Sequence, residues 1–144
     1  MKGLQEDKED TMYSESYGSK IIIKGLKIYA YHGKLPEEKK LGQFFLLDVV
    51  IYFNFLGNIP SDTLENTINY VEVINFIKEK FTEKKFNLIE TAAEYLCDSV
   101  LEYFQKIYKV GITLRKPTPP VNADFDYVAV EIMKSRDSLD SVLL

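Results

Sequence analysis

The sequence is short of the residues that most enzyme chemistries depend on. It has one cysteine and one histidine. Cys97 alone cannot close an internal disulfide, which removes the small disulfide-stapled secreted class. Beside Leu96 and Val100 on an apolar stretch, it reads as a small buried hydrophobe rather than a reactive thiol. His32 and Cys97 together cannot supply the clustered His and Cys ligands of a zinc site, so no metal is expected. Ser-His-Asp or Cys-His catalysis would rest on His32 alone, and no G-x-S-x-G elbow is present. Glycine-rich phosphate loops are missing too. So is a basic excess: 18 Lys+Arg face 22 Asp+Glu, a net charge of −4, which argues against a nucleic-acid partner. The pairs Lys39-Lys40 and Lys84-Lys85 adjoin glutamates and read as solvated surface. Residues 1–20 hold no apolar run that could serve as a signal peptide. No segment reaches the roughly 20 apolar residues of a membrane span. The expected setting is a soluble protein of the reducing cytoplasm, with no membrane partner.

What is present is ample apolar material. The chain has 144 residues, 46% of them hydrophobic, enough for one domain with an ordinary core. Residues 1–19 are polar, charged and without periodicity, and read as a tail. The domain is expected over 20–134, and 135–144 form a second tail ending in Val142-Leu143-Leu144. Internal repeats and low-complexity tracts are absent. "KIIIKGLKIYAYH" is rich in β-formers, with Gly25 expected to mark a bulge or kink. In "QFFLLDVVIYFNF" the residues Phe45, Leu47, Val49, Ile51, Phe53 and Phe55 are apolar at period two. The stretch from Gly33 to Gly42, broken by Pro36, is read as a connecting loop. Tyr70, Val73, Ile74, Ile77 and Phe81 then share one helical face, with Asn69 and Glu72 as a cap pair. Ile89, Ala93, Leu96, Val100 and Phe104 form a second stripe. "YKVGITLRK" alternates again, Tyr108, Val110, Ile112 and Leu114 on the apolar face, with Lys116 sharing their parity. "FDYVAVEIM" follows the Pro-rich "KPTPPVNAD" as a fourth strand.

The order ββααββ with short links implies an α+β fold: a four-stranded antiparallel sheet with both helices on one face. The other face is left bare, and in the second strand it carries Phe44, Leu46 and Val50, too apolar for water. That face and the sheet's edges ask for partner subunits, so a symmetric homo-oligomer is expected.

Polar residues at element ends are the remaining candidates for chemistry, and each has a plain alternative. Glu38, in "PEEKK", is either a solvated side chain or a site residue. Tyr70 opens the first helix as a partly buried aromatic or as a ligand contact. Glu90, third after Asn87, fits an Asn-x-x-Glu capping box or faces something that needs a negative charge. Lys116 ends a strand before Pro117, on the surface or in a site. His32 sits at a strand end before a turn, structural or functional.

Four stretches, "GLKIYAYHGKLPEEKKLGQFFLLDV", "DTLENTINYVEV", "NLIETAAEYL" and "VGITLRKPTPPV", resemble in order and spacing the dihydroneopterin aldolase family of folate biosynthesis, over about Ile21 to Ile132. The resemblance implies the T-fold, whose subunits close into a β-barrel, typically two tetrameric rings forming an octamer with sites at subunit interfaces. It implies a pterin substrate, 7,8-dihydroneopterin, cleaved without cofactor or metal to 6-hydroxymethyl-7,8-dihydropterin and glycolaldehyde. By this resemblance Glu90 anchors the pterin, with the backbone of Ile89 beside it. Tyr70, with Ile68 nearby, reaches the ligand from the adjacent subunit. Lys116 is the catalytic lysine, and Glu38 lies near the side-chain hydroxyls. Two departures bear on loop shape and substrate preference. "VNADFDY" lacks a glycine many members carry, and Asn69 stands where others have histidine. The alternatives are a 2′-epimerase of dihydroneopterin or its triphosphate, and a non-catalytic pterin-binding T-fold subunit.

Overall fold

The structure, a computed structural model, describes residues 18–136. Residues 1–17 and 137–144, and with them the apolar Val142-Leu143-Leu144, lie outside the described residues. The elements run β1 (Ser19–Ala30), α1 (Pro36–Leu41), β2 (Gln43–Phe53), α2 (Tyr70–Thr82), α3 (Ile89–Tyr103), β3 (Ile107–Lys116) and β4 (Val128–Ser135), with a single 3₁₀ turn at Leu64–Asn66. The four strands form one sheet in sequence order, and every neighbouring pair is antiparallel. α2 packs on α3 and on β1, and α3 lies across β3 and β4.

Strict alternation makes β2 the centre of the core. Phe45, Leu47, Val49, Ile51 and Phe53 are all buried and meet Val73, Ile77, Phe81, Leu96 and Val100 from the two helices. Each such side chain is worth about 1.5–3 kcal/mol when fully removed from water. The helices present the 3.6-residue periodicity that this requires. Phe55, expected in line with them, lies beyond the strand end and is exposed. Cys97 is buried in the same layer, and burial pushes its thiol up to about 12.

Two bulges reset the alternation. Lys24 and Gly25 together face Asp48, because Ile23 pairs with Val49 and Leu26 with Leu47. Gly25 has φ 70°, a conformation costly for a residue with a Cβ, and its amide donates to Asp48 Oδ1 at 2.8 Å. The extra residue shifts the inward set from Ile21 and Ile23 to Leu26, Ile28 and Ala30. The expected bulge is therefore present. Asp48 Oδ2 also pairs with Arg115 of β3, so one carboxylate joins three strands. The second bulge was not expected. Phe53 pairs with Ile107 while Tyr52 pairs with Lys109, so the extra residue in β3 turns Tyr108 out to lie tilted toward Tyr52. Ile107 takes the buried place assigned to Tyr108.

The Gly33–Gly42 connection is not a plain loop. Pro36, compatible with a first helical position, opens the short helix α1, and Leu35 precedes it as N-cap. The bare sheet face carries Ile22, Phe44 and Met133 exposed, with Leu46 and Val50 half-buried.

Candidate active site

At the end of the sheet where β1 and β3 finish and β2 begins, Lys116 pairs with Glu38 of α1. Both side chains are largely withdrawn from water, with 12% and 9% of their surface exposed. Neither is the solvated residue its local sequence suggests. Glu38 reaches the pair because α1 turns it back over Gly33, where a Cβ would collide with its carboxyl. Glu38 Oε1 accepts from the Leu35 amide at 3.2 Å, and Oε2, shut off from solvent, meets the ammonium. Burial opposes the charge on Glu38. The bond from Lys116, the Leu35 amide, and the charges of Lys116 and Lys39 outweigh it and hold the carboxyl below the usual range.

The same corner is tied to the helices. Gly33 N donates to Phe86 O at 2.9 Å, and Lys39 Nζ donates to the Gly33 carbonyl. His32 is buried between β1 and the helices, with Nε2 2.8 Å from Phe81 O and Nδ1 accepting from Phe86 N at 2.9 Å. Four residues beyond Phe86, Glu90 stands exposed in the first turn of α3. The Asn-x-x-Glu capping box is not formed. The N-cap is Leu88, without a side-chain cap bond, so Glu90 is not engaged by Asn87 and its carboxylate is left facing outward. Ile89 buries its side chain, which leaves its backbone amide, one of the first-turn donors without an intrahelical partner. A cleft of ≈ 480 Å³ opens beside this turn, lined by Lys34, Lys85, Phe86, Asn87, Leu88 and Thr91.

Tyr70 and Ile68 are elsewhere. Tyr70 begins α2, and Phe81, which carries the carbonyl bonded to His32, lies about 16 Å further along the helix axis. Asn69 caps that helix, accepting from Val71 N at 3.0 Å, but the expected pairing with Glu72 is not part of the cap. Tyr70 is 57% exposed, so it is not the partly buried core aromatic its place in the stripe predicts. Ile68 is buried in the core and borders a cleft of ≈ 390 Å³ with Asn69, Glu72 and Tyr103. One chain thus brings Glu38, Lys116 and the start of α3 to one end and holds Ile68 and Tyr70 at the other. Gln43, the first residue of β2, was not singled out from sequence. It belongs to the Lys116 corner, because its Oε1 accepts from Thr118 Oγ1 at 3.0 Å. Only the antiparallel pairing places it there, and its place in "LGQFF" carries no local sign of this.

Among the described residues no group of three or more His, Cys, Asp or Glu is placed to hold a metal ion, and no helix is long and apolar enough to cross a membrane. A four-stranded antiparallel sheet in sequence order, backed by two helices, is the architecture of a T-fold subunit. The family model for dihydroneopterin aldolase (FolB) matches residues 21–133. Dihydroneopterin aldolase 1 of Arabidopsis thaliana is 38% identical over 122 residues, 84% of each chain. The Bacillus subtilis dihydroneopterin aldolase is 34% identical over 117 residues, covering 81% of this chain and 98% of that one. In structure, the Escherichia coli dihydroneopterin aldolase, solved in complex with neopterin, superposes with a TM-score of 0.73 at 21% identity over 81% of this chain and 99% of its own. The chain belongs to the dihydroneopterin aldolase family, and its activity is that of an aldehyde-lyase in folate biosynthesis.

Proposed function

We propose that this protein cleaves 7,8-dihydroneopterin by a retro-aldol step, with Glu90 holding the pterin and the Lys116–Glu38 pair managing protons. The observation that carries this reading is the buried pair itself, tied through Gly33 and Phe86 to the helix start that bears Glu90. A 2-amino-4-oxo pterin presents two adjacent N–H donors, and one carboxylate accepts both, which fixes orientation better than a single bond. Breaking the bond between the first two side-chain carbons removes the 2′-hydroxyl proton and leaves an electron pair. The ring imine of the dihydropterin takes up that pair as an enol-like intermediate. The Lys116–Glu38 pair takes up the 2′ proton through a bound water, the Glu38 carboxylate accepting it while the Lys116 ammonium supplies positive charge beside it, and Glu38 also orients the hydroxyls. Tyr70, at the far end of its own chain, returns a proton to the intermediate from a neighbouring subunit. That placement requires an assembly. The apolar bare face and the open edges of β1 and β4 support a ring of subunits closed edge to edge, with two rings forming an octamer.

Purified protein given dihydroneopterin in the presence of a chelator is expected to release one glycolaldehyde per pterin converted. Epimerised substrate with no glycolaldehyde would overturn the cleavage reading, and loss of the reaction with the chelator would overturn the metal-free mechanism.

A further inference from the structure

Among the described residues His32 makes no hydrogen bond to Glu90 or to the Lys116–Glu38 pair, yet it adjoins the supports of both: Gly33, which lies under Glu38, follows it in the chain, and Phe86, four residues before Glu90, bonds its ring. It is 1% exposed, packed among the rings of Phe45, Phe81 and Phe86 at centroid distances of 5.6, 4.5 and 5.5 Å. Because Nδ1 accepts the Phe86 amide proton, Nε2 must carry the ring proton and donate it to the Phe81 carbonyl. The imidazole is thereby fixed as one neutral tautomer. Three hydrogen bonds tie the end of β1 to the α2–α3 hairpin: these two and Gly33 N to Phe86 O. Without the imidazole a single bond would remain, about which the hairpin and the strand end could turn. On the strand side, Gly33 supports Glu38 and hence Lys116. On the hairpin side, Phe86 leads within four residues to Glu90.

We propose that His32 is a positioning residue for the aldolase reaction, setting where Glu90 stands relative to the Lys116–Glu38 pair by gripping the Phe81 carbonyl and the Phe86 amide from the end of β1. The inference rests on Glu90 being the pterin anchor. A displacement of about 1 Å between anchor and proton-handling groups is enough to cost on the order of 10²-fold in rate. It leaves the anchor's own bonds to the ring intact, so turnover suffers and pterin binding does not. Protonation has the same effect as deletion, since a protonated Nδ1 cannot accept from Phe86. Burial in the phenylalanine cage lowers the imidazole pKa, the Phe81 carbonyl opposes this, and the charges of Lys39 from α1 and Lys116 from β3 add to the lowering.

The test measures kcat, neopterin affinity and thermal stability for His32→Asn and His32→Gln in the full chain. Asparagine offers an acceptor at the Nδ1 position toward Phe86, and glutamine a donor at the Nε2 position toward Phe81. Both are expected to lower kcat by between about 10-fold and 10²-fold while neopterin affinity stays within about threefold. Asparagine is expected to retain more, because Phe86 is the partner nearer Glu90. Folded variants with wild-type kcat, or with kcat and affinity lost in equal proportion, would overturn the proposal. Should neither variant fold, the wild-type imidazole is titrated by ¹⁵N NMR and compared with kcat against pH. The acid fall in kcat is expected to follow imidazole protonation, and a flat kcat across it overturns the proposal. Glu90→Gln, run in parallel, separates the two readings. Unchanged neopterin affinity in that variant removes the anchor and this inference with it, whereas weakened affinity beside an indifferent His32 removes only the inference.

Discussion

Under the proposed mechanism Glu90 and the Lys116–Glu38 pair play opposite parts, and their substitutions should fail in opposite ways. Glu90 is exposed and makes no protein contact that its helix needs. Glu90→Gln is therefore expected to leave thermal stability within about 0.5 kcal/mol. It should weaken neopterin binding at least tenfold, about 1.4 kcal/mol, because an amide turns a donor toward donors. Fluorescence titration beside a melting curve checks both halves. Lys116 is buried with its counter-ion, so Lys116→Met strands the Glu38 carboxylate. Stability is expected to fall by about 1–3 kcal/mol, less than the roughly 3–5 kcal/mol that breaking a fully buried pair costs, since each side chain keeps a small part of its surface in water. Turnover should drop on the order of 10²-fold or more, with neopterin affinity within about fivefold. Adding Glu38→Gln to Lys116→Met should recover part of the stability and none of the turnover, and undiminished turnover in the single variant would remove lysine from the mechanism. None of this division was legible in the local sequence. "LPEEKK" and "LRKP" look like surface, and only the return of α1 over Gly33 puts Glu38 against the end of β3.

At the scale of elements, the period-two and helical patterns were sufficient to place the four strands, the two long helices and most of their buried faces. The failures are phase errors. Tyr108 and Ile107 exchange roles because β3 carries one extra residue against Tyr52–Phe53, and period-two alternation read along β3 alone does not register a bulge that only its pairing with β2 reveals. Asn87 carries a capping side chain but stands one residue too early, so Leu88 takes the cap position. α1 was hidden because six residues are too few to display a helical stripe. Gly25 was readable because glycine alone adopts φ 70° at little cost. Gly25→Ala is expected to destabilise by about 1–2 kcal/mol, some 4–8 °C in a domain of about this size. The penalty should be backbone strain rather than crowding, since a Cβ there meets nothing within 4 Å. A melting temperature within 1 °C of wild type would mean the bulge relaxes without it.

The whole molecule adds constraints that no single element carries. His32 and Glu38 both have folded-state pKa values below their ordinary ones, so folding favours the deprotonated form of each. Stability should be full above about pH 6.5, the ordinary histidine value, and decline below it as the unfolded chain takes up the imidazole proton first. A second decline should set in below about pH 4.5, as the unfolded carboxyl protonates. Melting temperatures between pH 8 and 4 check the order, and the first decline should vanish in His32→Asn. The separation of Tyr70 from Lys116 along α2 makes the isolated chain an incomplete site under the proposed reading. Val50, half-buried on the bare face, is the position to test. Val50→Asp is expected to leave the protomer fold intact by circular dichroism, shift light scattering toward a single chain, and abolish glycolaldehyde release. A single-chain species with full activity would remove the shared site.

The sequence by itself determined which residues had to leave water and at what period, which is why the sheet, the helices and the family were readable from it. It also placed Glu90 at the start of a helix. Hydrophobic periodicity and backbone preference act over one or two turns of chain, so they speak for segments of that length. Which ends of those segments would meet was decided only by the tertiary structure. Gly33 against Phe86 and Lys116 against Glu38 are contacts between residues far apart in the chain, and the same packing holds Tyr70 away at the opposite end of α2. They exist because four strands and two helices must share one core, and the polar groups at their ends settle wherever that packing leaves them.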